Sequence, residues 1–161
     1  MNVLVVYATK TGVTEDIAKR LKDSCKQSLD VVSVKACTNE QLMKAEAFVL
    51  GAGVYIGKLH RNMRSFMKRH ASRLLEKPLL MYVCAGEPEE NLDDVLEISM
   101  PKNIQDHASR VLHTGGQFRY ERMKPLTRWL IRAVQKNRDD ASEPTINEQA
   151  IKRLIEAVDT L

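Results

Sequence analysis

The length, composition and charge of the chain exclude several classes of protein. Its 161 residues match the size of one domain, and we predict a single domain over residues 1–161. Hydrophobic residues make up 43% and charged residues 29% of the chain, and no apolar run approaches the roughly 18 residues that cross a bilayer. A net charge of +4 favours an anionic partner, which net charge alone does not identify.

Short apolar runs alternate with stretches of helical periodicity along the chain. Five runs are predicted strands: NVLVVYA at 2–8, VVSVKA at 31–36, AFVLGA at 47–52, PLLMYVCA at 78–85 and RVLHTGG at 110–116. Helices are predicted at 13–27, 39–45, 59–76, 92–108 and 147–161, the last beginning with a capping box at Thr145 and Glu148. This alternation is typical of an α/β fold with a parallel sheet covered on both faces.

The loop after the first predicted strand is rich in hydroxyl groups. Thr9, Thr11 and Thr14 surround Gly12 where a strand gives way to a helix, and backbone N–H groups at a helix N-terminus attract anions. The hydroxyls could instead merely cap the helix, but ligands of doubly wound sheets bind at the carboxyl ends of strands. We therefore predict a phosphate site, and without a Walker or GxGxxG pattern it suits a terminal monophosphate.

The same residues resemble the flavodoxin signature. The matching positions are Val5, Val6, Tyr7, Thr9, Gly12, Thr14, Ala18 and Leu21. The resemblance implies a flavodoxin-like, doubly wound, five-stranded parallel sheet in the order 2-1-3-4-5, with FMN as cofactor. It also implies that the FMN phosphate is held by Thr9, Lys10, Thr11, Gly12, Val13 and Thr14.

Two later loops are predicted to hold the isoalloxazine ring. The segment GAGVYIGKLH at 51–60 has three glycines and an aromatic residue, whereas CAGEPEENLDD at 84–94 lacks the tyrosine that stacks on the ring in classical flavodoxins. The implied ring contacts are Ala52, Gly53, Val54, Tyr55, Ile56 and Gly57, followed by Cys84, Ala85, Gly86 and Glu87. The redox chemistry is assigned to FMN, and no catalytic side chain is identified.

Residues 117–146 depart from the alternation of strands and helices. They form a connection far longer than the usual 2–6 residues, and we predict an insertion between the last strand and the last helix. Seven basic residues and one acidic residue, Glu121, lie between 113 and 138. Within LTRWLIRAVQK, at 126–136, the basic and apolar residues fall on different faces, which predicts a basic amphipathic helix. Its apolar face either meets a partner or packs on the sheet.

Two segments are similar to bacterial menaquinone-dependent protoporphyrinogen oxidases: YIGKLHRNMRSFMKRHASRL at 55–74 and RYERMKPLTRWLIRAV at 119–134. This resemblance implies an FMN enzyme that takes hydrogen from a porphyrinogen and passes electrons to a quinone. The basic segment would meet porphyrinogen propionates or anionic lipid. The residues assigned to partner or membrane contact are Arg128, Trp129, Arg132 and Lys136.

Two other functional classes remain open at this point. A soluble electron carrier without its own substrate would use the same FMN site, although classical flavodoxins are usually acidic and lack such an insertion. A cofactor-free, nucleic-acid-binding domain would leave the phosphate loop unexplained, so no nucleic acid partner is expected.

Cysteine and histidine spacing bears on the compartment and on metal binding. Cys25, Cys37 and Cys84 lack a CxxC spacing, so we expect free and mostly buried thiols rather than disulfides or a zinc site. The four histidines form no metal-binding motif. Because strand-like sequence begins at Val3, we expect no cleaved leader and a cytoplasmic protein, with peripheral contact at the inner face of the cell membrane.

Overall fold

The structure is a computed structural model that describes residues 1–136 and 143–161. The strands are β1 (Asn2–Ala8), β2 (Ser28–Ser33), β3 (Ala47–Tyr55), β4 (Lys58–Leu59), β5 (Leu79–Cys84) and β6 (Arg110–His113). The helices are α1 (Val13–Ser24), α2 (Asn39–Lys44), α3 (Arg61–Arg69), α4 (Ala71–Leu75), α5 (Leu92–Ser99), α6 (Lys102–His107), α7 (Pro125–Lys136) and α8 (Glu148–Asp159). Short 3₁₀ turns lie at Glu89–Asn91 and Tyr120–Arg122.

The main sheet is parallel and has the strand order β2-β1-β3-β5-β6. This confirms the predicted α/β class and the order 2-1-3-4-5 for the five parallel strands. A sixth strand, β4, was not predicted, and it pairs antiparallel with the end of β3. It forms because Ile56 (φ 52°) and Gly57 (φ 72°) both have left-handed backbone conformations and make the two-residue turn of a β-hairpin.

Two apolar layers cover the sheet, one on each face. Successive side chains of a strand point to opposite faces, so Val3 and Val5 pack with α1 and α8, whereas Leu4 and Val6 pack with the helices of the other face. Ile17 and Leu154 belong to the first layer. The second layer contains Met63, Phe66, Leu74, Val95 and Ile104. Burial on both faces explains why the central strands are almost continuously apolar.

Several predicted boundaries are wrong. Strand β2 spans Ser28–Ser33 rather than 31–36, because Leu29 is buried and pairs with Val3. Helix α8 begins after Asn147, whose Oδ1 accepts a hydrogen bond from Ala150 N at 3.1 Å, so the capping box at Thr145 and Glu148 does not form. Asparagine is among the best N-cap residues, and it takes this position two residues beyond the threonine.

Two long predicted helices are each divided in two. The stretch 59–76 breaks at His70, which has φ −110° and ψ 18° between α3 and α4. The stretch 92–108 breaks at Met100, whose extended backbone precedes Pro101. A residue before proline is pushed out of the helical region, which accounts for the second break.

The insertion contains the predicted basic helix as α7. None of its side chains is buried, and Leu126, Trp129 and Val134 are 69%, 64% and 65% exposed. Its apolar side therefore does not pack on the sheet. Within the two described ranges, no helix is both long and apolar enough to span a membrane.

The three cysteines are free thiols, but only Cys84 is buried, so the expectation of mostly buried thiols is wrong. Cys25 and Cys37 are half-buried, and desolvation raises the pKa of each to about 11. Both therefore remain protonated near neutral pH.

Candidate cofactor site

The loops after β1, β3 and β5 meet at one edge of the sheet, as parallel strands require. A narrow cavity of about 50 Å³ lies where they converge. The loop residues that line it are Thr11, Val13, Thr14, Gly53, Val54, Tyr55, Cys84 and Gly86. Gln117, Phe118, Met123 and Ile131 of the insertion also line it. The structure thus brings the three predicted loops together and adds the insertion as a fourth wall.

The first loop presents helix N–H donors and hydroxyl groups. Gly12 has φ 92°, a left-handed conformation that suits glycine, and its N–H donates to Thr9 Oγ1 at 2.9 Å. Thr11 and Thr14 are 8% and 1% exposed. No side chain of the described residues caps α1, so its first N–H groups are open to an anion. Helix N–H donors beside buried hydroxyls fit the phosphate of FMN.

Tyr55 connects the second loop to the first. Its hydroxyl oxygen accepts a hydrogen bond from Lys10 N at 2.9 Å, and Lys10 Nζ lies 4.6 Å from the ring centroid. Burial raises the pKa of Tyr55, so the hydroxyl stays neutral near neutral pH. The ring is therefore fixed between the phosphate loop and β3. Alongside it, Ile56 at the hairpin tip is 75% exposed.

His60 lies beside Tyr55 and is not among the predicted site residues. The side chain is 8% exposed, and Nδ1 accepts a hydrogen bond from Asn62 N at 3.0 Å. The ring packs edge-on against Tyr55, with the ring centroids 5.8 Å apart. Burial, followed by repulsion from Lys10, lowers the pKa of His60 and favours the neutral ring. The only sequence signal was its position as the last residue of the segment 51–60.

The third loop is held by groups that follow β6. The Glu87 carbonyl oxygen lies 2.9 Å from His113 Nε2, and His113 Nδ1 accepts a hydrogen bond from Gly115 N at 3.2 Å. Cys84 Sγ lies 3.3 Å from Thr114 Oγ1, and burial raises the pKa of the Cys84 thiol. This thiol is therefore a packing and hydrogen-bonding group rather than a thiolate.

An aromatic side chain reaches the third loop from outside it. Phe118 packs over Gly86 so closely that a β-carbon on Gly86 would lie 2.6 Å from the ring. This loop has no tyrosine of its own, and the insertion supplies an aromatic contact to it. Sequence analysis missed this contact because Phe118 and Gly86 are distant in the chain.

Two arginines fasten the insertion to the phosphate loop. Arg119 Nη1 and Arg122 Nη1 donate to the Thr11 carbonyl oxygen at 3.3 and 3.0 Å. Arg119 Nη2 also forms an ion pair with Asp16 Oδ2 at 2.6 Å. These residues were recognised in the sequence only as part of a basic run.

The four residues assigned to partner or membrane contact differ in their exposure and in their contacts within the protein. Arg128 is half-buried and donates to the carbonyl oxygens of Tyr120 and Met123 at 2.9 and 3.2 Å. The guanidinium carbon of Arg132 lies 4.7 Å from the Tyr120 ring centroid. Lys136 and Trp129 are exposed. Their role in contact with a partner or membrane stays a prediction.

Comparison with known proteins agrees with this site. A family model described as a flavodoxin domain matches residues 4–145. Protoporphyrinogen IX dehydrogenase [quinone] of Escherichia coli (strain K12) is 27% identical over 144 residues, covering 84% of this chain and 80% of that protein.

Solved structures show the same fold at lower sequence identity. A flavodoxin from the domain Archaea has a TM-score of 0.51 and 17% identity, covering 84% of this chain and 97% of that one. A Fusobacterium nucleatum flavodoxin bound to flavin mononucleotide has a TM-score of 0.51 and 16% identity, covering 73% of this chain and 72% of that one.

Proposed function

Because this chain belongs to the flavodoxin family, we propose that it binds FMN and uses it to oxidise a porphyrinogen, with a quinone as electron acceptor. The 27% identity to a quinone-dependent protoporphyrinogen IX dehydrogenase supports this choice of reaction. FMN, when bound, accepts hydrogen from a reduced substrate as electrons and protons and passes them to the quinone, which becomes a quinol.

The observation that carries the proposal is the insertion packed across the cofactor crevice. Phe118, Met123 and Ile131 line the crevice together with the three loops. An electron carrier needs only an exposed flavin edge, whereas an enzyme also needs walls that bind a substrate and exclude water. The insertion supplies apolar walls of this kind.

The chain's own residues have separate tasks in this proposal. Thr11, Thr14 and the first N–H groups of α1 bind the phosphate. Tyr55 holds the second loop against the first, His60 packs beside Tyr55, and Phe118 excludes water from the third loop.

Helix α7 has the composition of a membrane-surface helix. Leu126, Trp129 and Val134 are exposed, and Arg132 and Lys136 add positive charge on the same helix. Apolar side chains together with cations bind the surface of an anionic membrane. Peripheral contact at the cytoplasmic face of a membrane would bring the crevice close to a lipid-soluble quinone.

The second candidate is an electron carrier without its own substrate. The family match favours it, because the matched region, 4–145, is described only as a flavodoxin domain. The carrier would bind FMN at the same site and exchange electrons with a protein partner.

Anaerobic turnover separates the two candidates. The FMN-loaded protein is mixed with protoporphyrinogen IX, and menadione is added as a soluble quinone. The proposal predicts repeated porphyrin formation that needs both FMN and menadione. Absence of porphyrin formation from protein shown to contain FMN would favour the carrier.

A further inference from the structure

A second cavity, of about 220 Å³, lies beside the cofactor crevice between the phosphate loop and the insertion. Four residues line both cavities and stand between them: Thr11, Tyr55, Met123 and Ile131. Lys10, Arg122 and Lys124 line only the second one. On the side of the crevice its wall is therefore apolar except for Thr11, and it carries three cationic side chains elsewhere.

The positive charge of this cavity is not neutralised by the protein. No Asp or Glu occurs among its described lining residues. Arg119, next to the cavity, has Asp16 as its counter-ion, but Lys10, Arg122 and Lys124 have no carboxylate partner in the described part of the chain. Cations gathered at a concave surface concentrate anions there.

Arg122 retains hydrogen-bonding capacity at this place. Its Nη1 donates to the Thr11 carbonyl oxygen at 3.0 Å. A guanidinium group has five N–H donors, so one such contact leaves others for a ligand. Its planar fork matches a carboxylate, which accepts two parallel hydrogen bonds.

We propose that this cavity binds a carboxylate carried on a large apolar ring, and that it anchors the acidic edge of the substrate next to the flavin. The cations would pair with the carboxylate, and Tyr55, Met123 and Ile131 would contact the ring. At about 220 Å³ the cavity is smaller than the roughly 300–1,000 Å³ that enclose a whole ligand, so it receives one end of a larger molecule.

The identity of the ligand rests on the proposed function. A porphyrinogen has propionate side chains on a large apolar macrocycle, which matches both parts of the cavity. Because the two cavities share four lining residues, a macrocycle held here by a propionate extends towards the crevice.

Equilibrium binding of stable porphyrins tests the cavity without turnover. Protoporphyrin IX and its dimethyl ester, in which the carboxylates are blocked, are titrated into FMN-loaded protein by porphyrin fluorescence. We expect the free acid to bind about tenfold or more tightly than the ester. Arg122→Gln and Lys124→Gln should each weaken binding of the acid by about 3–10-fold and leave the ester unchanged.

Matched controls separate this site from the cofactor site. Lys152→Gln removes one exposed cation from α8 and should leave binding of both porphyrins unchanged. FMN affinity is measured in every variant, since Arg122 also contacts the phosphate loop.

Equal affinity of the acid and the ester, or normal acid binding in both cavity variants, would overturn the cavity assignment. Failure of the free acid to bind would overturn it as well. Anaerobic turnover with menadione is measured independently of these titrations. If the protein oxidises protoporphyrinogen although the titrations contradict the cavity, the proposed function still holds and only the cavity assignment is wrong.

Discussion

Thr14 lies at the start of α1 with only 1% of its surface exposed, and its carbonyl oxygen accepts a hydrogen bond from Tyr82 Oη at 2.8 Å. The backbone is thus fixed independently of the threonine hydroxyl. Thr14→Val keeps the shape but removes that hydroxyl, and we expect a loss of about 1.5–3 kcal/mol in FMN binding, or about 10–100-fold. Fluorescence titration of apo protein measures this loss.

Riboflavin provides the internal comparison for this variant, because it lacks the phosphate. It should bind the parent and Thr14→Val alike, and Thr160→Val, at the end of α8, should bind FMN normally. An equal loss of FMN and riboflavin affinity in Thr14→Val would show that the hydroxyl does not serve the phosphate.

His60 should make the cofactor loops sensitive to pH. Its folded-state pKa is lowered below the ordinary value of 6.5, so the folded protein binds fewer protons at this ring than the unfolded chain. Its contribution to stability is therefore full above about pH 6.5 and is lost as the pH falls towards the folded-state pKa. Protonation also removes the acceptor of the Asn62 N–H, which costs about 1 kcal/mol.

Urea unfolding at pH 7.5 and pH 5.0 measures this contribution. The free energy of unfolding should fall less between the two pH values in His60→Gln than in the parent. His107→Gln serves as the control, because His107 contacts the Lys77 carbonyl oxygen at the opposite edge of the sheet. An identical pH dependence in the parent and His60→Gln would contradict the role assigned to His60.

The third loop has an electrostatic consequence at the scale of an element. Its Glu87 is half-buried where the loop reaches the crevice, whereas Glu90 is exposed in the following 3₁₀ turn. A negative charge near the flavin disfavours added electrons. Glu87→Gln should therefore raise the two-electron reduction potential by on the order of 10 mV, and Glu90→Gln by less.

A spectroelectrochemical titration of the FMN-loaded variants measures both potentials. The shift in Glu87→Gln should shrink at high salt, because ions screen exposed charges. An unchanged or lower potential in Glu87→Gln would reject the repulsion.

We expect the cations of helix α7 to be required for binding to anionic membranes. Arg132→Glu with Lys136→Glu should weaken flotation with anionic liposomes at least about tenfold, since each cation near such a surface contributes about 1 kcal/mol. Lys68→Glu with Lys152→Glu makes the same change in net charge on α3 and α8, and should have a smaller effect. Equal losses in the two double variants would assign binding to net charge alone. Arg128 is unsuitable for this test, because it bonds backbone groups of the insertion.

The sequence predicts the sheet more fully than the contacts around the site. Alternating apolar and amphipathic stretches specify strands and helices, and the hydroxyl-rich loop lies next to β1 in the chain itself. Arg119 and Arg122, by contrast, reach Thr11 across 108 and 111 residues. Local periodicity contains no information about the path of an insertion. For the same reason, the packing of Phe118 over Gly86 became visible only in three dimensions.

Across the whole molecule, the insertion joins the three loops that local sequence treats separately. Its arginines bind the phosphate loop, and Phe118 covers the third loop. Met123 and Ile131 line the same two cavities as Tyr55 of the second loop. The flavodoxin fold thus supplies the cofactor site, and the insertion supplies the features that favour a substrate. We propose that these parts work together as a porphyrinogen dehydrogenase.

Reduction of the bound flavin by its proposed substrate tests this claim most directly. FMN-loaded protein is mixed anaerobically with protoporphyrinogen IX in a stopped-flow spectrophotometer, and menadione is added afterwards. We predict that excess porphyrinogen bleaches the yellow flavin absorbance, and that this absorbance returns when the quinone is added. Because complete oxidation to porphyrin removes more electrons than one FMN accepts, porphyrin should accumulate only after the quinone is present. If the flavin stays oxidised in excess porphyrinogen while dithionite still reduces it, the claim is contradicted and the chain is an electron carrier.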